Sequence, residues 1–125
     1  MLFCDSIRKI PFSMISRTIE PRLAGQLGKG KVVVLYGARQ VGKTTLLKGL
    51  LPPGPDTLWL DGDDAATAAL FEQRNIALLQ SRLGRYRTVV IDEAQRIPEV
   101  GIGLKMLADH LPDLQVVATG SSAFE

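Results

Sequence analysis

Apolar clusters recur along the chain between short polar, glycine or proline breaks, and their periods predict alternating strands and helices. A strand pattern, Lys31-Val32-Val33-Val34-Leu35-Tyr36, gives way to a helical one over 44–51. Pro52-Pro53-Gly54-Pro55 can only be a loop, because three pyrrolidine rings fix φ and remove backbone donors. A short strand over 57–60 ends at Asp61-Gly62-Asp63-Asp64, where an aspartate can cap the alanine-rich helix predicted over 65–71. A further helical stretch, 76–83, closes at Gly84. Thr88-Val89-Val90-Ile91 is β-branched without polar alternation, as expected of a strand covered on both faces in a parallel sheet. Val100, Leu104, Leu107 and Leu111 recur at offsets of four, three and four, which is one face of a helix, and Pro112-Asp113 ends it. A last strand over 115–119 runs into Gly120-Ser121-Ser122.

Upstream, Leu23, Ala24 and Leu27 share a helical face, with Pro21 acceptable in a first turn and Gly28-Lys29-Gly30 as a stop. Residues 1–13 show no clean period and contain Pro11. We therefore expect a leader over 1–14, with no order assigned to it, and one folded unit over 15–125. Four strands alternating with helices predict an α/β fold with a parallel sheet built from right-handed crossovers. Ligands then gather at the carboxyl ends of the strands.

Composition narrows the function classes. The 125 residues leave room for one domain, and 46% hydrophobic residues is ordinary for a soluble globular protein. The net charge of +2 comes from 15 basic and 13 acidic residues in mixed order, so no stripe of one sign supports a nucleic-acid partner. Cys4 is the sole cysteine, which excludes an internal disulfide and a cysteine-based metal cluster and fits a reducing compartment, by default the cytoplasm. Charge at Asp5 interrupts any signal-peptide apolar stretch, and no run approaches membrane-spanning length.

Candidate chemistry enters at the strand ends. Gly37-Ala38-Arg39-Gln40-Val41-Gly42-Lys43-Thr44 matches G-x-x-x-x-G-K-[ST] without mismatch, between a strand pattern and a helix pattern. Such a loop needs small residues so that its backbone N–H groups converge on phosphate oxygens, and the helix that follows, Thr45 included, adds its positive dipole end. Lys43 is expected to reach the β and γ phosphates. The Thr44 hydroxyl is placed for Mg2+, which prefers oxygen ligands and keeps several waters. Arg39, unusual in so tight a loop, reads equally as a phosphate or protein contact and as a solvent-facing side chain.

Asp92 follows an apolar strand, so its carboxylate is expected at the carboxyl end, taking the metal through a bound water. Glu93, next to it, can orient and deprotonate the attacking water, because phosphoryl transfer is catalysed mostly by positioning and charge stabilisation. Thr119 and Ser121, at the end of the last strand, are candidates to sense the γ phosphate, with the choice between them open. His110 at a helix end and Trp59 in a strand are read as structural.

Three stretches carry a resemblance: residues 37–47, then Val90-Ile91-Asp92-Glu93-Ala94-Gln95-Arg96-Ile97-Pro98, then residues 114–125. Together they resemble the prokaryotic AAA-type ATPase domain often found ahead of a C-terminal domain of unknown function. The resemblance runs from about residue 15 to the last residue. It implies a three-layer P-loop NTPase core of the additional-strand type, with Lys43 and Thr44 in the Walker A motif, Asp92 and Glu93 in the Walker B motif, and Thr119 or Ser121 as first sensor. ATP rather than GTP follows from the resemblance alone. Members of the family continue into a fifth strand and a helical lid, so the core is expected to be incomplete after its fourth strand. Hydrolysis at subunit interfaces in such enzymes implies self-association or a further domain as partners. A nucleotide-binding module without efficient turnover is the alternative. Asp92-Glu93-Ala94-Gln95 is also the pattern of DEAD/DEAH-type helicases. Those carry Gly-Ser-Gly-Lys where this chain has Gln40-Val41-Gly42-Lys43, and they need a second core that 125 residues cannot contain.

Overall fold

Consecutive β-branched and aliphatic residues form strands here because both faces of the sheet are covered. The computed structural model of the chain describes residues 7–11, 32–37 and 43–121. Strands β1 (Ile7–Pro11), β2 (Val32–Tyr36), β3 (Thr57–Asp61), β4 (Thr88–Asp92) and β5 (Gln115–Gly120) make one sheet in the order β1-β2-β5-β4-β3. Every pairing is parallel. Helices α1 (Lys43–Leu50), α2 (Ala65–Glu72), α3 (Ile76–Leu83) and α4 (Val100–His110), with a 3₁₀ turn at Ala94–Arg96, complete the described elements.

Alternation along the strands divides the core in two. Val32, Val34, Val89, Ile91, Val116 and Ala118 pack with Phe71, Leu79, Leu83, Leu104 and Leu107 under α2, α3 and α4. Val33, Leu35, Val90 and Val117 face the other way, against Leu47 and Leu51 of the α1 region and Trp59. Each such side chain taken fully from water contributes about 1.5–3 kcal/mol, so the unbroken apolar runs are a consequence of two covered faces. The face of α4 expected from its spacing is the buried one: Val100, Leu104 and Leu107 are inside, with Leu111 just after the helix. The helix ends are defined by side chains. Asp64 Oδ1 accepts from the Ala66 N–H and Asn75 Oδ1 from the Leu78 N–H, which satisfies donors that the first turns leave free. Trp59 Nε1–H donates to the Leu51 carbonyl at 2.9 Å, and Lys48 Nζ lies 5.1 Å from the centre of its ring. These contacts seat the end of α1 against β3.

The sheet adds a strand to the four read from sequence: it comes from Ile7–Pro11, inside the stretch to which no order was assigned, and is not the strand that the family resemblance implies after the last one. It pairs with β2 along its whole length, Ile7 beside Val32 and Pro11 beside Tyr36. Ile7 packs against one core and Ile10 against the other. Apolar residues three apart cannot show the period of two that marks a half-buried strand. Pro11 is tolerated because it stands at the end of an edge strand, where a missing N–H interrupts little. The helix expected around Leu23, Ala24 and Leu27 lies outside the described residues.

Candidate functional site

Strand order determines which side chains meet. β5 lies between β2 and β4, with Leu35 beside Thr119 and Ile91 beside Ala118. The carboxyl ends of the strand before the glycine loop, the strand ending in Asp92 and the strand carrying Thr119 are therefore neighbours. Gly37 directly follows β2, and Lys43 is the first residue of α1. Ala38, Arg39, Gln40, Val41 and Gly42 lie outside the described residues, as does the Lys43 side chain. Thr45 is exposed on α1, and Thr44 is half-buried.

Asp92 is the centre of the arrangement. Thr44 Oγ1 donates to Asp92 Oδ2 at 3.1 Å, and Thr119 Oγ1 donates to Asp92 Oδ1 at 2.6 Å. Each carboxylate oxygen thus holds one hydroxyl, one from α1 and one from β5. Thr119 Oγ1 also accepts the Glu93 backbone N–H at 3.1 Å. Thr44 uses its hydrogen toward Asp92, so its oxygen keeps lone pairs for a further partner.

Glu93 sits where the backbone breaks from β4. Its φ of 55° and ψ of 44° are left-handed, sparsely populated for a residue with a side chain and worth about 1–3 kcal/mol of strain. The conformation turns the chain from the strand into Ala94–Arg96, anchored by buried Ala94 and Ile97. The turn after β3 closes on the same point. The Gly62 N–H donates to the Asp92 carbonyl at 2.7 Å, and a Cβ at Gly62 would stand 2.0 Å from the Glu93 carbonyl oxygen. Only glycine allows that approach.

Gln95 completes the cluster, and residue-by-residue reading of the motifs passed it over. Its Nε2 donates to Glu93 Oε1 at 2.7 Å and to Ser121 Oγ at 3.3 Å. The two sensing candidates therefore hold different places: Thr119 is bonded to Asp92 and to the Glu93 backbone, and Ser121 reaches Glu93 only through Gln95. The available signal was the position of Gln95, two residues beyond Glu93 in a stretch too short and polar to be a strand. His110 is the last residue of α4. It lines, with Gln80, Tyr86 and Asp113, an open cavity of about 210 Å³ beside the residues that lead into β4 and β5, at the end of the sheet away from Asp92.

The donor set suits a hard cation shared with a phosphate. Among the described residues, the side-chain atoms that meet at Asp92 are the oxygens of Thr44 and Thr119, the kind of ligand Mg2+ prefers. Among the described residues no group of three or more His, Cys, Asp or Glu side chains forms a self-sufficient metal cage. No described helix is long and apolar enough to cross a membrane.

Two mycobacterial proteins, one from Mycobacterium tuberculosis (strain ATCC 25618 / H37Rv) and one from Mycobacterium bovis (strain ATCC BAA-935 / AF2122/97), are each 34% identical to the chain over 94 residues. Both are described only as uncharacterized. The matched stretch is 75% of this chain and 20% of each relative, so the chain spans about a fifth of the length of these relatives. No solved structure gives a significant match. The model of a family described as "AAA domain" matches residues 29–125, which takes in the glycine loop, the Asp92 and Glu93 strand end and β5. With that match over most of its length, the chain belongs to the AAA domain family of nucleotide-binding, ATPase-like proteins.

Proposed function

We propose that this domain binds ATP with Mg2+ and hydrolyses the β–γ phosphoanhydride. The observation that carries the reading is the chain of contacts Thr44–Asp92–Thr119–Glu93 at the carboxyl end of the sheet, directly beside the start of the helix that follows the glycine loop. A phosphate held by the N–H groups of residues 37–44 would lie at that helix start, stabilised by its dipole and by Lys43. Mg2+, when bound, neutralises charge on the β and γ oxygens. The Thr44 oxygen would hold it directly and Asp92 through water.

The protein's own groups then have separate tasks. Glu93 takes a proton from water as the water oxygen bonds to the γ phosphorus and the bond to the β-phosphate oxygen breaks, giving ADP and phosphate. Thr119 fixes the Asp92 carboxylate and the Glu93 backbone together, so metal ligand and base keep one relative position. Ser121, on the loop leaving β5, meets the γ phosphate. The single cysteine supports a reducing compartment such as the cytoplasm.

Two substitutions test the proposal. Lys43→Ala should reduce ATP affinity at least about tenfold in equilibrium binding, since a charge-assisted phosphate contact is lost. Unchanged affinity sinks the assignment of the loop. Glu93→Gln should retain ATP binding and lower single-turnover hydrolysis by about 10²–10⁴-fold, the usual contribution of a general base. Binding without turnover in the unsubstituted chain would instead identify a nucleotide-binding module.

A further inference from the structure

The Glu93 N–H is held by Thr119 and the preceding Asp92 carbonyl by the Gly62 N–H, but the Glu93 carboxylate is held by Gln95. The Gln95 amide nitrogen has two hydrogens, and both are committed, one to Glu93 Oε1 and one to Ser121 Oγ. Its carbonyl oxygen, Oε1, is buried with no hydrogen-bond partner among the described residues. A buried acceptor without a partner is unfavourable. Turning the amide over would set that oxygen against the Glu93 carboxylate, which accepts only, and would break that bond, whereas the Ser121 hydroxyl both donates and accepts and would keep a partner either way. The orientation is therefore imposed by Glu93 at the expense of the carbonyl.

The support beneath Gln95 is rigid. It lies in the Ala94–Arg96 turn between Ala94 and Ile97, both fully buried, and the turn packs against β5. The left-handed backbone at Glu93 is what brings the residue two places later back onto the Glu93 carboxylate. Ser121 accepts the Gln95 hydrogen, so its own hydroxyl hydrogen is available to an acceptor such as a phosphate oxygen.

We propose that Gln95 is the positioning residue for Glu93, fixing its carboxylate and relaying to it, through Ser121, whether a γ phosphate is bound. The inference rests on the reading of Glu93 as the base. A phosphate oxygen that takes the Ser121 hydrogen moves or fixes Ser121, the Gln95 amide follows, and the carboxylate is set for the water. Rates respond strongly to such placement, with a displacement of about 1 Å costing about a hundredfold.

The test compares Gln95→Leu, Ser121→Ala and the double variant with the unsubstituted chain, using ATP binding, single-turnover hydrolysis and thermal unfolding. Gln95→Leu should lower the rate about 10–100-fold, leave the ATP dissociation constant within about twofold, and leave the melting temperature equal or higher because the orphan carbonyl is gone. The double variant should be no slower than Gln95→Leu alone, as links in one series require. Gln95→Asn, one methylene shorter, should not restore the rate. A Gln95→Leu rate equal to that of the parent, with Glu93→Gln inactive, overturns the relay and leaves the base in place. A Glu93→Gln rate equal to that of the parent removes the base itself, and the relay with it. The contact is also read without turnover. In nucleotide-free protein, the Gln95 side-chain amide proton resonances should shift on Glu93→Ala, and identical resonances overturn the proposal.

Discussion

Thr119→Val isolates the hydroxyl that joins the two strand ends. The side chains have nearly the same shape, and Thr119 is only 4% exposed, so packing is retained and the polar atom alone is removed. Two bonds go with it: the donation to Asp92 Oδ1 at 2.6 Å and the acceptance of the Glu93 N–H at 3.1 Å. A hydrogen bond to an ionised group contributes about 1.5–3 kcal/mol, and a stranded N–H adds about 1–3 kcal/mol. Asp92 and Glu93 are half-buried, so water partly re-solvates both, and the lower part of the combined range applies, about 3 kcal/mol.

Thr119→Ser is the control. It keeps both bonds and deletes one buried methyl, which costs about 1 kcal/mol. For a domain stable by about 5–15 kcal/mol the two variants are readily separated by urea unfolding of the nucleotide-free chain. With a slope of about 1–3 kcal/mol per molar, Thr119→Val should lower the midpoint by about 1–3 M and Thr119→Ser by about a third of that. Equal midpoints for the two variants, or a Thr119→Val loss below about 0.5 kcal/mol, would refute the idea that the hydroxyl bridges Asp92 and Glu93.

Gly62→Ala should destabilise the fold by about 1–3 kcal/mol, because the new methyl meets the Glu93 backbone carbonyl at 2.0 Å rather than a side chain that can turn aside; a silent substitution in thermal unfolding would show that the turn does not close on Glu93. Ile7→Asp and Ile10→Asp should each cost at least about 1 kcal/mol, since they place a carboxylate in opposite cores. If denaturation midpoints are unchanged by both, residues 7–11 do not belong to the sheet.

The contrast between these two sets of residues shows where local sequence stops being informative. Val89, Val90 and Ile91 could be read as a strand because both faces are covered and every position had to be apolar. The helical face of Val100, Leu104 and Leu107 was legible for the related reason that one core receives it. β1 obeys the same physics with fewer residues. Ile7 and Ile10 are its apolar contacts, one to each core, and Arg8 and Lys9 between them conceal the pattern. A five-residue edge strand with two anchors has too little apolar surface to declare itself before its neighbour, β2, is known.

The candidate site divides along the same line. Thr44, Asp92 and Thr119 could each be placed at an element end from sequence, because hydrophobic runs stop there. Their mutual contacts depend on β5 lying between β2 and β4, and strand order is settled by pairing across the whole chain. Gln95 is harder still to read. Its importance follows from a left-handed residue two positions earlier, and that conformation is stabilised by groups distant in sequence: the Thr119 hydroxyl, the Gly62 backbone and the buried Ala94 and Ile97 side chains. Glu93 at this position is not a residue that favours φ > 0 by itself. The surrounding structure imposes the turn, and the turn brings the Gln95 amide onto the Glu93 carboxylate. The chemistry proposed for Glu93 is written in one residue, while its orientation is distributed over five others that no local motif groups together.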